Sequence, residues 1–295
     1  MKGEYAALIT ALCWTFNSLF FSLAGRKVGS QVVNHLRLWI AFIFMGIINL
    51  LSFKLFFPYK LPSRSIFFLS LSGLIGFTLG DAALFESLVL IGPRLSMTIM
   101  ATNPIIGAIL SWIILDEKLG YWHILCIAIT IGSVIFVISE KHENENFDKS
   151  KRLPGIILAS IGSICQATGM LLSKIGLSSG ASAIQGNMIR VTAGLFFMVL
   201  YIIFKGQFVE HFKKMKDIKS ALYILFGAIL GPVIGVSLAL YAISNTKIGI
   251  ATTITAISPI PLIPLSALIY KEKITIRTII GTIFTIAGAS ALFFI

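Results

Sequence analysis

Asn34-His35-Leu36-Arg37 returns 153 positions later as Asn187-Met188-Ile189-Arg190, each time inside an otherwise apolar stretch. Two further signatures keep nearly the same spacing: Asn103-Pro104 recurs as Ser258-Pro259 and Glu117-Lys118 as Glu272-Lys273, both 155 positions on. A near-constant offset across three separate polar signatures marks an internal duplication. The first unit holds apolar segments at 5–24, 31–53, 65–90, 95–115 and 121–139, and the second at 154–173, 184–204, 220–243, 248–269 and 276–295. Each is near the roughly 20 residues that a spanning helix needs. Five is odd, so the chain leaves the first unit on the opposite side of the membrane and the second unit enters inverted. The reading is an all-α integral membrane protein of ten transmembrane helices in two inverted five-helix repeats, 1–139 and 154–295, joined by a polar linker at 140–153.

Composition agrees. Of 295 residues, 57% are hydrophobic and 12% charged, with mean hydropathy +0.93, against about 25% charged residues in a soluble domain. Leu, Ile, Phe, Gly and Ala dominate without strict alternation, which favours helices over a barrel. Lys2 before an apolar run and Ser22-Leu23-Ala24 resemble a signal peptide. The segment is long and has a partner opening the second unit, so it is expected to stay in the protein. Cys13, Cys126 and Cys165 all lie in apolar segments without metal-ligand spacing and read as small packing residues.

The net charge of +12 does not point to nucleic acid, because the basic residues sit in short loops and read as determinants of topology. With cytoplasmic termini the inside loops hold seven Lys and Arg and the outside loops fourteen, which opposes that orientation; within the first unit alone the balance is five inside to three outside, which supports it. The early helices usually dominate insertion. Glu140 to Arg152 is the most polar stretch, and His211 to Lys219 reads as an amphipathic surface segment.

Two copies that each carry an Asn-Pro or Ser-Pro, an apolar run and a Glu-Lys turn resemble the EamA repeats of the drug/metabolite transporter superfamily, over nearly the whole chain. The phrase from Gly80-Asp81 to Glu86-Ser87-Leu88, followed by Ile91-Gly92-Pro93-Arg94, is similar to one widespread branch of that family. The resemblance implies ten helices, a central cavity bounded mostly by helices 1 to 4 and 6 to 9, and cytoplasmic termini. It also implies a multi-pass protein of the cell membrane with a small-molecule substrate.

Asp81 lies near the middle of the third segment, where a carboxylate is costly unless it faces water, a partner or the bundle interior. Glu86 follows five residues later, roughly 140° around the helix, so the two need not share a site. In the second unit their counterparts are Val236 and Tyr241, and an acid present in only one copy points to function rather than scaffold. The alternative is a buried structural pair. Arg37 and Arg190 recur in both units, and the resemblance makes them a family feature of helices 2 and 7. Asn34 and Asn187 stand one turn earlier on the same faces. These motifs read chiefly as packing devices, with carboxylate binding as a second role. His35 adjoins Arg37; His123 has no acid or metal partner in the sequence. Glu117 and Glu272 read as interfacial anchors.

Trp14, Asn17, Gln166 and Tyr241 are candidate cavity-wall residues; aromatics could hold an organic cation, and Arg37 or Arg190 a carboxylate. Gly73, Gly76 and Gly80 share one helix face, as do Gly227, Gly231 and Gly235, which permits close helix approach. Pro104, Pro232 and the cluster Pro259, Pro261 and Pro264 predict interrupted helices.

No nucleotide loop, metal cluster or nucleophile motif is present, so no cofactor is implied. The expected function is secondary active transport of a small polar or amphipathic metabolite, an amino-acid-like solute or an organic cation. Access alternates between the inverted repeats, with Asp81 as a site where substrate and proton compete. A pore and an intramembrane enzyme are the alternatives. Nothing in the residues specifies substrate, direction or oligomeric state.

Overall fold

The computed structural model describes residues 2–115, 120–139, 149–246, 248–271 and 274–291, and among these every regular element is helical. Glu117, Lys118, Glu272, Lys273 and linker residues 140–148 lie outside the described residues, as does the side chain of His123. Helix α1 (Lys2–Val28) and α2 (Ser30–Phe53) meet at Gly29. The third apolar segment runs through α3 (Ser63–Gly73), a π-helical stretch (Leu74–Gly80) and α4 (Asp81–Leu90). The chain then turns at Gly92, whose φ of 82° is a conformation that side chains disfavour. Next come α5 (Gly92–Met100), α6 (Asn103–Leu115) and α7 (Tyr121–Ile138).

The rest of the chain contains α8 (Arg152–Leu177), α9 (Ala183–Phe204), the short α10 (Phe208–Lys213) and α11 (Ile218–Ala228). A second π-helical stretch (Ile229–Gly235) leads to α12 (Val236–Asn245), then α13 (Ile248–Thr255), α14 (Pro259–Tyr270) and α15 (Ile276–Ala291). Among the described residues seven helical runs are long and apolar enough to cross a membrane, with shorter apolar helices besides.

Two expected segments are interrupted. The one read as 95–115 begins at Gly92 and breaks at 101–102, ahead of Asn103-Pro104. The one read as 248–269 breaks at 256–258, ahead of Pro259. The proline cluster predicts a kink within the segment, whereas the break precedes Pro259, which takes the first helical position, where a missing N–H leaves nothing unpaired.

The π turns have an identifiable cause and partner. Pro232 has no N–H to donate and its ring clashes with the preceding turn, so the helix widens there. The first π stretch is glycine-rich instead and lies against α9: a Cβ on Gly73 would sit 2.2 Å from the Arg190 carbonyl oxygen. Widening a helix leaves carbonyls without their usual donors. Asn34 Nδ2 donates to Phe77 O (3.2 Å), and Asn187 Nδ2 donates to Pro232 O (2.7 Å). The recurring asparagine therefore meets, in each half, the carbonyl of an interrupted neighbouring helix.

Polarity is distributed as a bilayer requires. Leu8, Phe16, Ile43, Phe67, Leu79 and Phe196 are exposed on the outside, while Asn34, His35, Arg37, Asp81, Asn187 and Arg190 are buried. The halves pack against each other throughout: α1 on α11 and α12, α2 on α9, α3 and α4 on α8, and α7 on α15. Any chamber between them is lined from both.

Candidate functional site

A chamber of about 630 Å³, counted out to its mouth, lies between the halves. It is lined by Trp14, Asn17, Ser18 and Phe21 of α1, Arg37 of α2, Phe77 of the first π stretch, and Asp81, Leu84, Phe85 and Leu88 of α4. Met97 and Met100 of α5, Asn103, Gln166 and Met170 of α8, Gly231 and Pro232, and Val236 complete it. A smaller hollow continues past Trp14, Asn103 and Met170 to Thr252, Thr255 and Ser258, beside the broken end of α13.

The polar centre of the wall is built on Asp81, 5% exposed. The π turn ends at this residue, and its backbone N–H reaches back to Gly76 O. One carboxylate oxygen accepts from Gln166 Nε2 (2.5 Å) and the other from Arg37 Nη2. Gln166 also donates to Gly76 O (3.3 Å), another bond to the π stretch. Arg37 is held by its own asparagine: Nε and Nη2 donate to Asn34 Oδ1 at 3.0 and 2.8 Å. Its guanidinium carbon stands 4.7 Å from the Phe85 ring and 5.4 Å from Phe77. A carboxylate so enclosed is tolerable because each oxygen has a donor.

Arg190 also stands over Phe77, its guanidinium carbon 4.8 Å from the ring centroid. It does not repeat the arrangement of Arg37. Arg190 Nε and Asn187 Oδ1 are both buried without a hydrogen-bond partner among the described residues, whereas their counterparts bond to each other.

The other sequence candidates divide. Trp14, Asn17 and Gln166 line the chamber. Glu86 does not: it is half-buried and accepts from Ser30 Oγ at the start of α2. Tyr241 is 38% exposed and lies outside the lining. His35 accepts from Trp39 Nε1 (3.1 Å) and sits 5.3 Å, ring to ring, from His211 of α10, away from the chamber. Phe77, Phe85, Met170 and Asn103 are wall residues that the sequence did not single out as such. Asn103 carried a signal, as half of a recurring Asn-Pro motif; the others are ordinary apolar residues until the fold places them.

Near Leu88, at the edge of the lining, side chains tie the first half of the chain to itself and to the second. Ser22 Oγ donates to Leu88 O (3.0 Å) and accepts from Tyr270 OH (2.9 Å). Lys27 Nζ lies 2.5 Å from Asp217 Oδ1, and Lys214 Nζ donates to Val28 O (3.2 Å). Asp217 also caps α11 through Ser220 N–H. Its hydrogen bond from Lys27 holds the carboxyl down to about 2.

A model of the EamA-like transporter family matches residues 1–139 and 153–294. An "Uncharacterized transporter" of Clostridium kluyveri is 22% identical over 230 residues, 78% of this chain and 73% of that protein. A solved crystal structure superposes with a TM-score of 0.66 at 13% identity, covering 99% of this chain and 96% of that one, which is a likeness of fold alone.

Proposed function

The chain belongs to the EamA-like transporter family and is an integral, multi-pass membrane protein; from that premise we propose that it is a secondary active carrier of a small polar or amphipathic metabolite. The observation that carries the reading is the buried Asp81–Arg37–Gln166 cluster on the wall of a chamber shared by both halves. A polar group in the bilayer interior needs water, a partner or a substrate, and here it has a partner and an adjacent cavity. Asp81 is the coupling site, its protonation changing what the chamber holds.

The carrier works by alternating access between two inverted five-helix repeats, 1–139 and 154–295, with 140–153 as the connection. Ten crossings are counted when α3–α4, α5–α6, α11–α12 and α13–α14 are each taken as one interrupted span. The recurring offsets support this reading, as do π stretches and broken helices at corresponding places in the two halves. Reconstituted protein is expected to show saturable counterflow of a solute that it binds. Binding without counterflow under every imposed gradient, or unsaturating single-channel currents, would overturn the proposal.

Residence in the cell membrane with both termini cytoplasmic completes it, following the first-repeat charge bias. On a background lacking Cys13, Cys126 and Cys165, a cysteine at Asn144 should react with an impermeant reagent from outside, and one at the C-terminus should not. The reverse pattern inverts the topology.

A further inference from the structure

Arg37 and Arg190 both stand over Phe77, and Asp81 hydrogen-bonds only the first of them, reaching the second through its charge alone. Arg37 bonds Asp81 and Asn34. Arg190, 1% exposed, is in ion-pair contact with no carboxylate among the described residues. Among the described residues its Nε has no hydrogen-bond partner, and Nη1 reaches only the sulfur of Met170 at 4.0 Å, a weak acceptor. Glu86 does not balance it, being turned to Ser30 at the start of α2. A lone guanidinium deep in a bundle is costly, and stacking on one aromatic ring recovers only part of that cost.

The position of this cation is informative. Arg190 is not itself in the lining of the chamber, but two residues it touches are: Phe77, under its guanidinium, and Met170, at its Nη1. Of these, Met170 is unbranched and flexible, so rotation about its side-chain bonds would open a direct path to the guanidinium. The remaining wall is largely apolar, with Phe21, Phe85 and Leu88 facing the same space. The local charge decides what can enter. A cationic cargo would add a second uncompensated positive charge to a site that already has one, whereas a monoanion brings the site to neutrality.

We propose that Arg190 is the anion-receiving group of the chamber and that the cargo is a small organic monoanion, a carboxylate on an apolar body, admitted as Met170 swings aside. This rests on the carrier reading and narrows it, setting aside the organic cation.

The test uses purified full-length protein in detergent, with phenylacetate, phenylacetamide and phenethylamine as an anion, a neutral and a cation on one ring, together with benzoate and indole-3-acetate. Melting temperature is read against concentration. A carboxylate is expected to raise it saturably, by about 3 °C or more, while the amide and amine leave it unchanged. Arg190→Met should abolish that response, and without ligand it should melt no lower than the parent, because a lone buried charge has been replaced by an apolar side chain. Arg190→Lys, which keeps the charge, should retain part of the response. The proposal is overturned by a carboxylate response that survives in Arg190→Met, by Arg190-dependent stabilisation from the amine, by silence of all the carboxylates, or by an unliganded Arg190→Met protein that melts well below the parent. Counterflow of a cation would end this inference and leave the carrier standing. An Arg190-dependent carboxylate response without counterflow would do the opposite.

Discussion

Asp81→Asn is expected to slow counterflow by about tenfold or more, the consequence of losing about 1.4 kcal/mol from a step that needs the charge, and to flatten its dependence on pH. The carboxylate accepts from Arg37 and Gln166 at the chamber wall, so the amide keeps the shape and removes the charge. Arg37 is then left as a second uncompensated cation beside Arg190. Breaking a buried pair from one side typically costs about 3–5 kcal/mol, so the variant should also melt lower. Arg37→Gln combined with Asp81→Asn should recover part of that loss, since no unpaired member of the pair remains.

The pH profile separates coupling from simple destabilisation. Asp217 cannot supply it. Its folded pKa, about 2, is depressed below the ordinary carboxyl value of 3.8. Its contribution is therefore fully present above that value and is lost only as pH falls through the interval between them. Burial and Lys214 hold His211 below the usual histidine value. A folded Asp81→Asn protein with unchanged rate and pH profile would remove Asp81 from the mechanism.

Gly73→Ala should be among the most damaging single-methyl changes in the bundle interior. The added carbon would sit 2.2 Å from Arg190 O and 2.9 Å from Arg190 Cα. Both are backbone, so α9 must move as a whole, and Arg190 moves with it. Overpacking of this kind costs about 1–3 kcal/mol, sometimes more. The carrier should melt lower, and counterflow should fall further than stability alone explains, because the spacing of α3 and α9 sets where the second guanidinium stands. Gly107→Ala and Gly132→Ala are the controls: nothing lies within 4 Å of either added carbon, and alanine's better helix propensity leaves them neutral or about 1 kcal/mol more stable. Equal melting temperatures for Gly73→Ala and the parent would show that this contact yields easily.

Much of the architecture was legible in one dimension. Hydropathy is a local property, so the apolar segments were located to within a few residues, apart from the breaks at 101–102 and 256–258. Even those were signalled by Asn103-Pro104 and Ser258-Pro259. The asparagines at 34 and 187 read as packing groups, and each bonds an interrupted helix. The five-residue step from Asp81 to Glu86 implied different azimuths, and the two acids do face different partners.

The character of each segment was written in the chain alone: how long, how apolar, where it breaks, and which polar signatures recur. Which way each side chain faces emerged only from helix packing. Gln166 turned inward and Tyr241 outward; Arg37 found a carboxylate 44 residues away, while Arg190 made no bond to the oxygen of its own asparagine and lay over Phe77 in the other half's π turn. In a water-soluble helix the contrast between wet and dry faces reveals orientation from the sequence. In a bilayer the lipid-facing and core-facing sides are both apolar, so that contrast is weak and only packing between helices sets the azimuth.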